Sequence, residues 1–127
     1  MRRYHNLKIF MPIGLIVALV LLASAVSVYA QTATLQIFTL DLKVGSKNQQ
    51  VVLLQQLLSD ESPDIYPEKM ISGYFGPLTQ AAVKRFQAKY VSEVLTPAGV
   101  NAPTGFVGSY TRNKLNKVYI QLYYLKK

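Results

Sequence analysis

The chain has 127 residues without a cysteine, and its 14 Lys and Arg outnumber its 6 Asp and Glu, for a formal net charge of +8. This length has room for one small domain beside a targeting segment, and the lack of cysteine excludes disulfides, thiolate metal sites and a cysteine nucleophile. The positive charge suits an anionic polymer such as cell wall, nucleic acid or a lipid surface, and it is equally typical of a soluble basic domain.

The first 30 residues have the pattern of a targeting segment. A basic leader, MRRYHNLK, precedes a stretch without charge from Ile9 to Ala30. Val28 and Ala30 place small residues where a signal peptidase requires them, for a cut ahead of Gln31. The uncharged stretch is also long enough to span a bilayer, which takes about 20 apolar residues. The sequence therefore predicts a cleaved signal peptide or a retained membrane anchor, and in both cases export of everything after residue 30.

Residues 31–43 form a loose alternation of Thr, Gln and aliphatic residues. This pattern indicates an extended lead-in segment, a linker that packs along the edge of a domain. We place that domain, with a C-terminal extension, at residues 44–127. The predicted organisation is thus a signal peptide or anchor at 1–30, a lead-in at 31–43 and one folded domain.

The domain begins with a helix signature. Ser46 is a candidate N-cap, and Gln49 three residues later completes a capping box. Apolar residues then recur on one helical face, namely Val51, Leu54, Leu57 and Leu58. The first helix is therefore predicted from Lys47 to about Ser59, and the acidic, proline-containing stretch after it is predicted as a loop.

One phrase occurs twice in the rest of the chain, as GYFGPLT at 73–79 and as GFVGSYT at 105–111. In each copy two glycines bracket apolar residues, which indicates a tight turn whose backbone lies close to its neighbours. Apolar positions at helical spacing follow each turn, so helices are predicted from Pro77 to Tyr90 and from Ser109 to about Leu125. Residues 91–103 contain two prolines and a glycine and are predicted as a loop.

These elements predict an all-α fold. It is a compact three-helix bundle in which glycine turns lead into two of the helices, preceded by an N-terminal signal or transmembrane helix. The two repeated turns would deliver their helices to a shared core, and the first helix would close it. The aromatic residues Phe75 and Phe106 are predicted to lie in that core.

The ordered motifs resemble the peptidoglycan-binding domain, a small three-helix module of bacterial wall hydrolases and envelope proteins. The resemblance extends from roughly Leu40 to Asn116. It depends on Gly45-Ser46, Val51 with Leu54-Gln55 and Leu58, the turn at 73–79, Ala82-Val83 with Phe86-Gln87, and Gly-x-x-Gly-x-x-Thr-Arg at 105–112. It implies noncatalytic binding of cell-wall peptidoglycan. The chain departs from the family pattern after Asn116, where the aromatic and basic tail KVYIQLYYLKK follows.

The sequence has little material for catalysis. Its single histidine, His5, lies in the leader, so the exported part has neither a histidine base nor a histidine zinc ligand. The loop after the first helix gathers four carboxylates, which can in principle cleave glycosides or hold calcium loosely: Asp60, Glu61, Asp64 and Glu68. A solvated acidic loop is the simpler interpretation. We therefore predict no enzyme, no catalytic residue, no metal site and no cofactor.

Binding has better material at the two turns. Peptidoglycan presents sugar faces, amides and stem-peptide carboxylates, which call for an aromatic platform, hydrogen-bonding groups and a cation. Tyr74, Thr79, Tyr110 and Arg112 supply these types and are the predicted ligand-binding residues. Each tyrosine is equally suited to burying its ring, and Arg112 is equally suited to a surface salt bridge with the acidic loop.

The sequence is compatible with three functions. The first is noncatalytic peptidoglycan binding in the cell envelope by an exported chain, which an uncleaved N-terminal segment would tether to the membrane. The second is a structural or interaction module that docks an envelope protein through its aromatic C-terminal helix, Tyr119 to Tyr124. Nucleic-acid binding is the third, and we predict against it because the chain is exported and its basic residues form no dense stripe.

Overall fold

The computed structural model describes residues 35–126. Four α-helices follow one another, α1 (Gln49–Glu61), α2 (Pro77–Lys89), α3 (Val91–Ala98) and α4 (Ser109–Ile120), and a π-helical segment (Gln121–Leu125) continues α4. Extended pairing in this part of the chain is limited to two isolated bridges, Leu42 with Val107 and Lys47 with Tyr74. The all-α prediction is confirmed, with four helices in place of three.

The predicted targeting segment, residues 1–30, lies outside the described residues. Within residues 35–126 no helix combines the length and the apolar character that a membrane crossing requires.

The start of α1 corrects the predicted capping box. The N-cap is Asn48, whose side-chain oxygen accepts the backbone N–H groups of Gln50 and Val51 at 2.9 and 3.2 Å. Ser46 lies outside the helix, where its hydroxyl accepts the N–H of Lys43 at 3.0 Å. Asparagine and serine are comparable N-caps, so tertiary context decided between them. The backbone of Phe75 bonds to the N–H of Gly45 and to the carbonyl of Ser46, and these bonds hold Ser46 outside the helix.

The predicted loop at 91–103 is wrong in its first half, which forms α3. Only Tyr90 separates α2 from this helix. Val94 and Leu95 are buried, and Gly99 ends the helix in the left-handed region with its N–H on the carbonyl groups of Leu95 and Thr96. Pro97 lies in the last turn, where its missing N–H removes a single helical hydrogen bond.

The last predicted helix reaches Leu125 as expected, but its α-helical pattern stops at Ile120. Aromatic stacking accompanies the change, since the ring of Tyr119 lies 4.7 Å from that of Tyr123 and packs edge-on against Phe38. The hydroxyl of Tyr123 donates to the Asp60 carboxylate. These contacts attach the tail to the end of α1 and to the lead-in.

The core lies between α1, α2 and α4, with α3 packed against α2 and α4. The lead-in also contributes to it, because Phe38 and Leu42 are fully buried. The other large, fully buried apolar side chains are Val51, Leu54, Leu57, Leu58, Tyr66, Phe75, Phe86 and Leu115. Burial of this kind contributes about 1.5–3 kcal/mol for each such side chain and is the main stabilising term of the fold.

Candidate ligand cavity at the second glycine turn

A buried glutamine of α2 holds the second glycine turn. Nε2 of Gln87 donates to the carbonyl of Phe106 at 2.8 Å and to the hydroxyl of Thr111 at 3.1 Å. Its Oε1 accepts the N–H groups of Thr104 and Gly105, both at 2.9 Å. One side chain thus satisfies the polar groups of the turn and of the first turn of α4, and fixes both relative to α2.

The first glycine turn is built in the same way from α1. Gln55 donates to the carbonyl of Tyr74 and to the hydroxyl of Thr79, both at 2.9 Å, and accepts the N–H of Gly73 at 2.9 Å. The separations along the chain are 19, 24 and 18 residues for these three bonds, and they are the same in the second turn. The sequence repeat is therefore a repeat of a glutamine clamp as well as of a turn.

In both copies an aromatic ring lies across the glycine that precedes the helix. A Cβ on Gly108 would come within 2.9 Å of the Phe106 ring, and one on Gly76 within 3.3 Å of the Tyr74 ring. The ring at this position therefore faces solvent, and the next residue of the turn enters the core. Phe75 is buried as predicted, but the core prediction for Phe106 is wrong: it is 41 % exposed, and Val107 takes the buried place.

The second turn borders a cavity of about 410 Å³, within the usual size range of small-molecule sites. One wall comes from α3 and the residues after it, and the opposite wall from the turn and the start of α4. The side chains that set its character are Val94, Leu95, Ala98, Val100, Phe106 and Tyr110 on the apolar side, with Asp41, Thr104, Ser109 and Arg112 as polar groups. This cavity depends on α3, which forms in a segment that the sequence predicted as a loop.

The charged groups of this cavity form an ion pair. The Arg112 guanidinium contacts the carboxylate of Asp41, a residue of the lead-in. The arginine side chain is only 20 % exposed, while that of Asp41 is 60 % exposed. This outcome corrects the predicted alternative of a salt bridge between Arg112 and the acidic loop, because Leu42, paired with Val107, holds Asp41 beside α4.

Another ion pair lies between α3 and α4. Lys114 of α4 donates to the Glu93 carboxylate at 2.6 Å, and its ammonium group lies 4.1 Å from the centre of the Tyr90 ring. The hydrogen bond from Lys114 holds the pKa of Glu93 below its ordinary value. These contacts join α3 to α4 at a place outside the cavity lining.

A smaller cavity of about 170 Å³ lies at the first turn. Its lining includes Ser72, Tyr74, Gly76, Pro77, Leu78 and Thr79, which are the counterparts of 104, 106 and 108–111 in the larger cavity. It is completed by Tyr66 and Met70, and none of the described residues that line it is charged. The repeat has thus produced two equivalent cavities, of which the second is larger and charged.

The four predicted ligand-binding residues divide between these two cavities. Tyr74 and Thr79 line the smaller, Tyr110 and Arg112 the larger, and the two linings share no residue. Thr79 is buried, with its hydroxyl engaged by Gln55, whereas Tyr74 and Tyr110 are 46 % and 43 % exposed. Their role in binding stays a prediction.

Sequence reasoning missed three contributors to the larger cavity: Asp41, Gln87 and the wall from α3. Gln87 had a signal, because Gln55 and Gln87 stand at the same distance before their glycine turns. Asp41 had none, since its partner lies far along the chain. Among residues 35–126, no group of three or more His, Cys, Asp or Glu side chains is close enough to hold a metal ion.

Comparison with known proteins gives one family. Residues 47–94 match the family described as "Putative peptidoglycan binding domain". The match covers α1, the first glycine turn, α2 and the start of α3, and it confirms the resemblance found in the sequence motifs. No curated protein and no solved structure matched the chain.

Proposed function

From the premise that residues 47–94 carry a domain of the peptidoglycan-binding family, we propose that the chain binds cell-wall peptidoglycan without cleaving it. The larger cavity, at the second glycine turn, is the proposed site. The observation that carries this choice is its composition: exposed aromatic faces, hydroxyl groups and an ion pair converge on one concave surface of adequate size.

The chemistry of the polymer agrees with that surface. Sugar faces and aliphatic groups pack on aromatic and apolar side chains, which Phe106, Tyr110 and the α3 wall supply. Stem-peptide carboxylates pair with a guanidinium, and Arg112 is the cation that the described part of the chain contributes to the lining. The family match is to a binding domain, which supports a noncatalytic role.

Retention on purified wall sacculi tests this proposal. We expect the full chain to sediment with sacculi more than a charge-matched control protein does. Tyr110→Ala should reduce retention by about fivefold to tenfold, since exposed aromatic anchors dominate binding energies. Leu78→Ala is the matched control, because Leu78 occupies the same position of the first copy and is equally exposed, at 41 %. Retention equal to that of the charge-matched protein contradicts the proposal.

Export belongs to the same proposal. The uncharged stretch at 9–30 and the basic leader support a location in the cell envelope, with residues after 30 outside the cytoplasm. Mass spectrometry of the mature protein decides between the two forms. Gln31 as the first residue would show cleavage, and an intact N-terminus in the membrane fraction would show a retained anchor.

Docking of an envelope protein through the C-terminal helix is the second candidate function. Tyr124 and Leu125 are 59 % and 70 % exposed, and this favours it. Tyr119 and Tyr123 already have partners within the chain, so the surface available for docking is smaller than the sequence suggested. A Tyr124→Ser, Leu125→Ser double variant should lose a cross-linked envelope partner and keep its retention on sacculi. Unchanged cross-linking would contradict this function.

A further inference from the structure

We propose that the cavity at the second glycine turn recognises an aliphatic side chain that ends in an α-amino acid group, so that ammonium and carboxylate enter together. This inference rests on the proposed function and names the part of the polymer that the site reads. Diaminopimelate residues of wall stem peptides have this chemistry, whereas lysine residues end in an ammonium group alone. The inference follows from the Asp41–Arg112 ion pair, its place in the repeat and the apolar wall opposite.

The ion pair presents both signs of charge at one cavity. Among residues 35–126, Asp41 and Arg112 are the only charged residues that line it, and they contact each other. A ligand with an ammonium and a carboxylate on one carbon can pair with both at once and adds no net charge. The ligand and the ion pair then form a group of four charges of alternating sign. In this group Asp41 and Arg112 each keep a partner of opposite charge.

Other ligand classes fit this pair less well. A ligand with one charge pairs with one member of Asp41–Arg112 and repels the other. A neutral sugar uses neither charge and leaves the pair as it is. The charged part of the cavity therefore favours a zwitterionic ligand over a singly charged or a neutral one.

The repeat indicates that these charges are specific to the second site. The first copy has Gln80 at the position of Arg112, and its smaller cavity is lined by uncharged residues in the part of the chain that the structure describes. The clamp, the turn and the exposed aromatic position are common to both copies. Structural requirements of the turn therefore do not demand an arginine here, since glutamine serves in the equivalent place.

The apolar wall suits the rest of such a side chain. Val94, Leu95, Ala98 and Val100 line the cavity opposite the charged pair. A short methylene chain packed against them would gain about 0.8 kcal/mol for each buried CH₂. The volume of about 410 Å³ accommodates a side chain of this length with part of its peptide.

Isothermal titration of the full chain in mild detergent with three synthetic stem tripeptides tests the inference. Their third residues are meso-diaminopimelate, lysine, and diaminopimelate amidated at its side-chain carboxyl group. We expect the first to bind about tenfold more tightly than the other two, which corresponds to one additional charge pair of about 1.4 kcal/mol. Equal affinities for all three peptides would overturn the inference.

Variants identify the residues involved. Arg112→Gln, which copies the first site, should reduce the preference for the diaminopimelate peptide over its amidated form to near unity. Asp41→Asn should equalise that peptide and an analogue lacking the side-chain amino group. Glu93→Gln is the matched control, because it breaks an ion pair outside the cavity lining and should keep both preferences. Circular dichroism of each variant verifies the fold, and a preference that survives Arg112→Gln in a folded variant overturns the inference.

Failure of this inference and failure of the proposed function give different results. Retention on sacculi together with equal affinities for the three peptides refutes the inference alone. Absence of retention on sacculi together with absence of peptide binding refutes both.

Discussion

The side-chain amide of Gln87 donates to the hydroxyl of Thr111 at 3.1 Å, across 24 residues of chain, in the buried interior. Gln55 makes the same bond to Thr79 across the same separation. Asn116 makes a third amide clamp, because its Oδ1 accepts the N–H groups of Ile37 and Phe38 at 2.9 and 2.8 Å. Each of three helices thus uses one buried amide to attach a non-helical segment. Substitution of these amides should therefore destabilise the segments that they hold.

Replacing Gln87 by leucine should destabilise the fold by about 3 kcal/mol. The change leaves the N–H of Gly105 and the carbonyl of Phe106 without their partner, and each buried polar group of this kind costs about 1–3 kcal/mol. The measurement is urea unfolding followed by circular dichroism. Gln56→Leu, on the exposed side of α1, is the control and should change the free energy of unfolding by less than about 0.5 kcal/mol. Equal losses in the two variants would contradict the clamp.

Replacing Asn116 by leucine should release the lead-in before the rest of the domain. The backbone N–H groups of Ile37 and Phe38 both depend on Asn116 Oδ1. We therefore expect hydrogen exchange at these two amides to rise by tenfold or more, an order-of-magnitude effect, while amides of α1 stay protected. Asn113→Leu, on the exposed face of the same helix, should leave the exchange unchanged. Undisturbed exchange at Ile37 in Asn116→Leu would show that other contacts hold the lead-in.

Gly105→Ala should destabilise more than Gly45→Ala. Both glycines have positive φ, of 74° and 94°, which costs a side-chain-bearing residue about 1 kcal/mol. At Gly105 a Cβ would also lie 2.6 Å from Cγ of Gln80, whereas at Gly45 no atom of residues 35–126, apart from its chain neighbours, lies within 4 Å of an added Cβ. Thermal unfolding of both variants measures the difference. If Gly45→Ala lowers the melting temperature as much as Gly105→Ala does, backbone conformation alone sets the cost of the substitution.

Stability should fall in acid partly through Glu61. Burial acts to raise the pKa of this carboxyl, but hydrogen bonds from Lys89 at 2.6 Å and from the Tyr90 hydroxyl outweigh it, so the pKa lies below its ordinary value. The unfolded chain then binds the proton at higher pH than the folded chain does. The contribution of Glu61 is complete above its ordinary pKa and is lost as pH falls through the lowered value.

A Glu61→Gln variant checks this dependence. Its melting temperature should lie below that of the unsubstituted chain at neutral pH, and the gap should narrow as pH falls from about 6 to about 3, a range that brackets the ordinary glutamate pKa. Lys89→Met removes the other member of the ion pair. In a chain that carries it, Glu61→Gln should change the melting temperature by less. A gap that stays constant over this range would exclude Glu61 as a contributor to acid unfolding.

The local features of the repeat were predicted from the sequence, and its long-range hydrogen bonds were not. The glycine turns, the starts of α2 and α4 and the burial of Phe75 depend on interactions within a few residues, and they were predicted. The equivalence of Gln55 and Gln87 was visible in the spacing, but its purpose required the hydrogen bonds. The amide clamps connect residues 17 or more positions apart, and spacing alone does not say which groups meet.

The amino-acid sequence by itself determined the helical class, the similarity of residues 47–94 to the peptidoglycan-binding family and the duplication of the turns, because apolar periodicity and glycine positions act locally. Only the tertiary structure decided that residues 91–98 are helical, that Phe106 faces solvent and that Arg112 pairs with Asp41. Each of these depends on packing between segments distant in the chain. The larger cavity arises from all three, so its position and charge are properties of the folded molecule rather than of any motif.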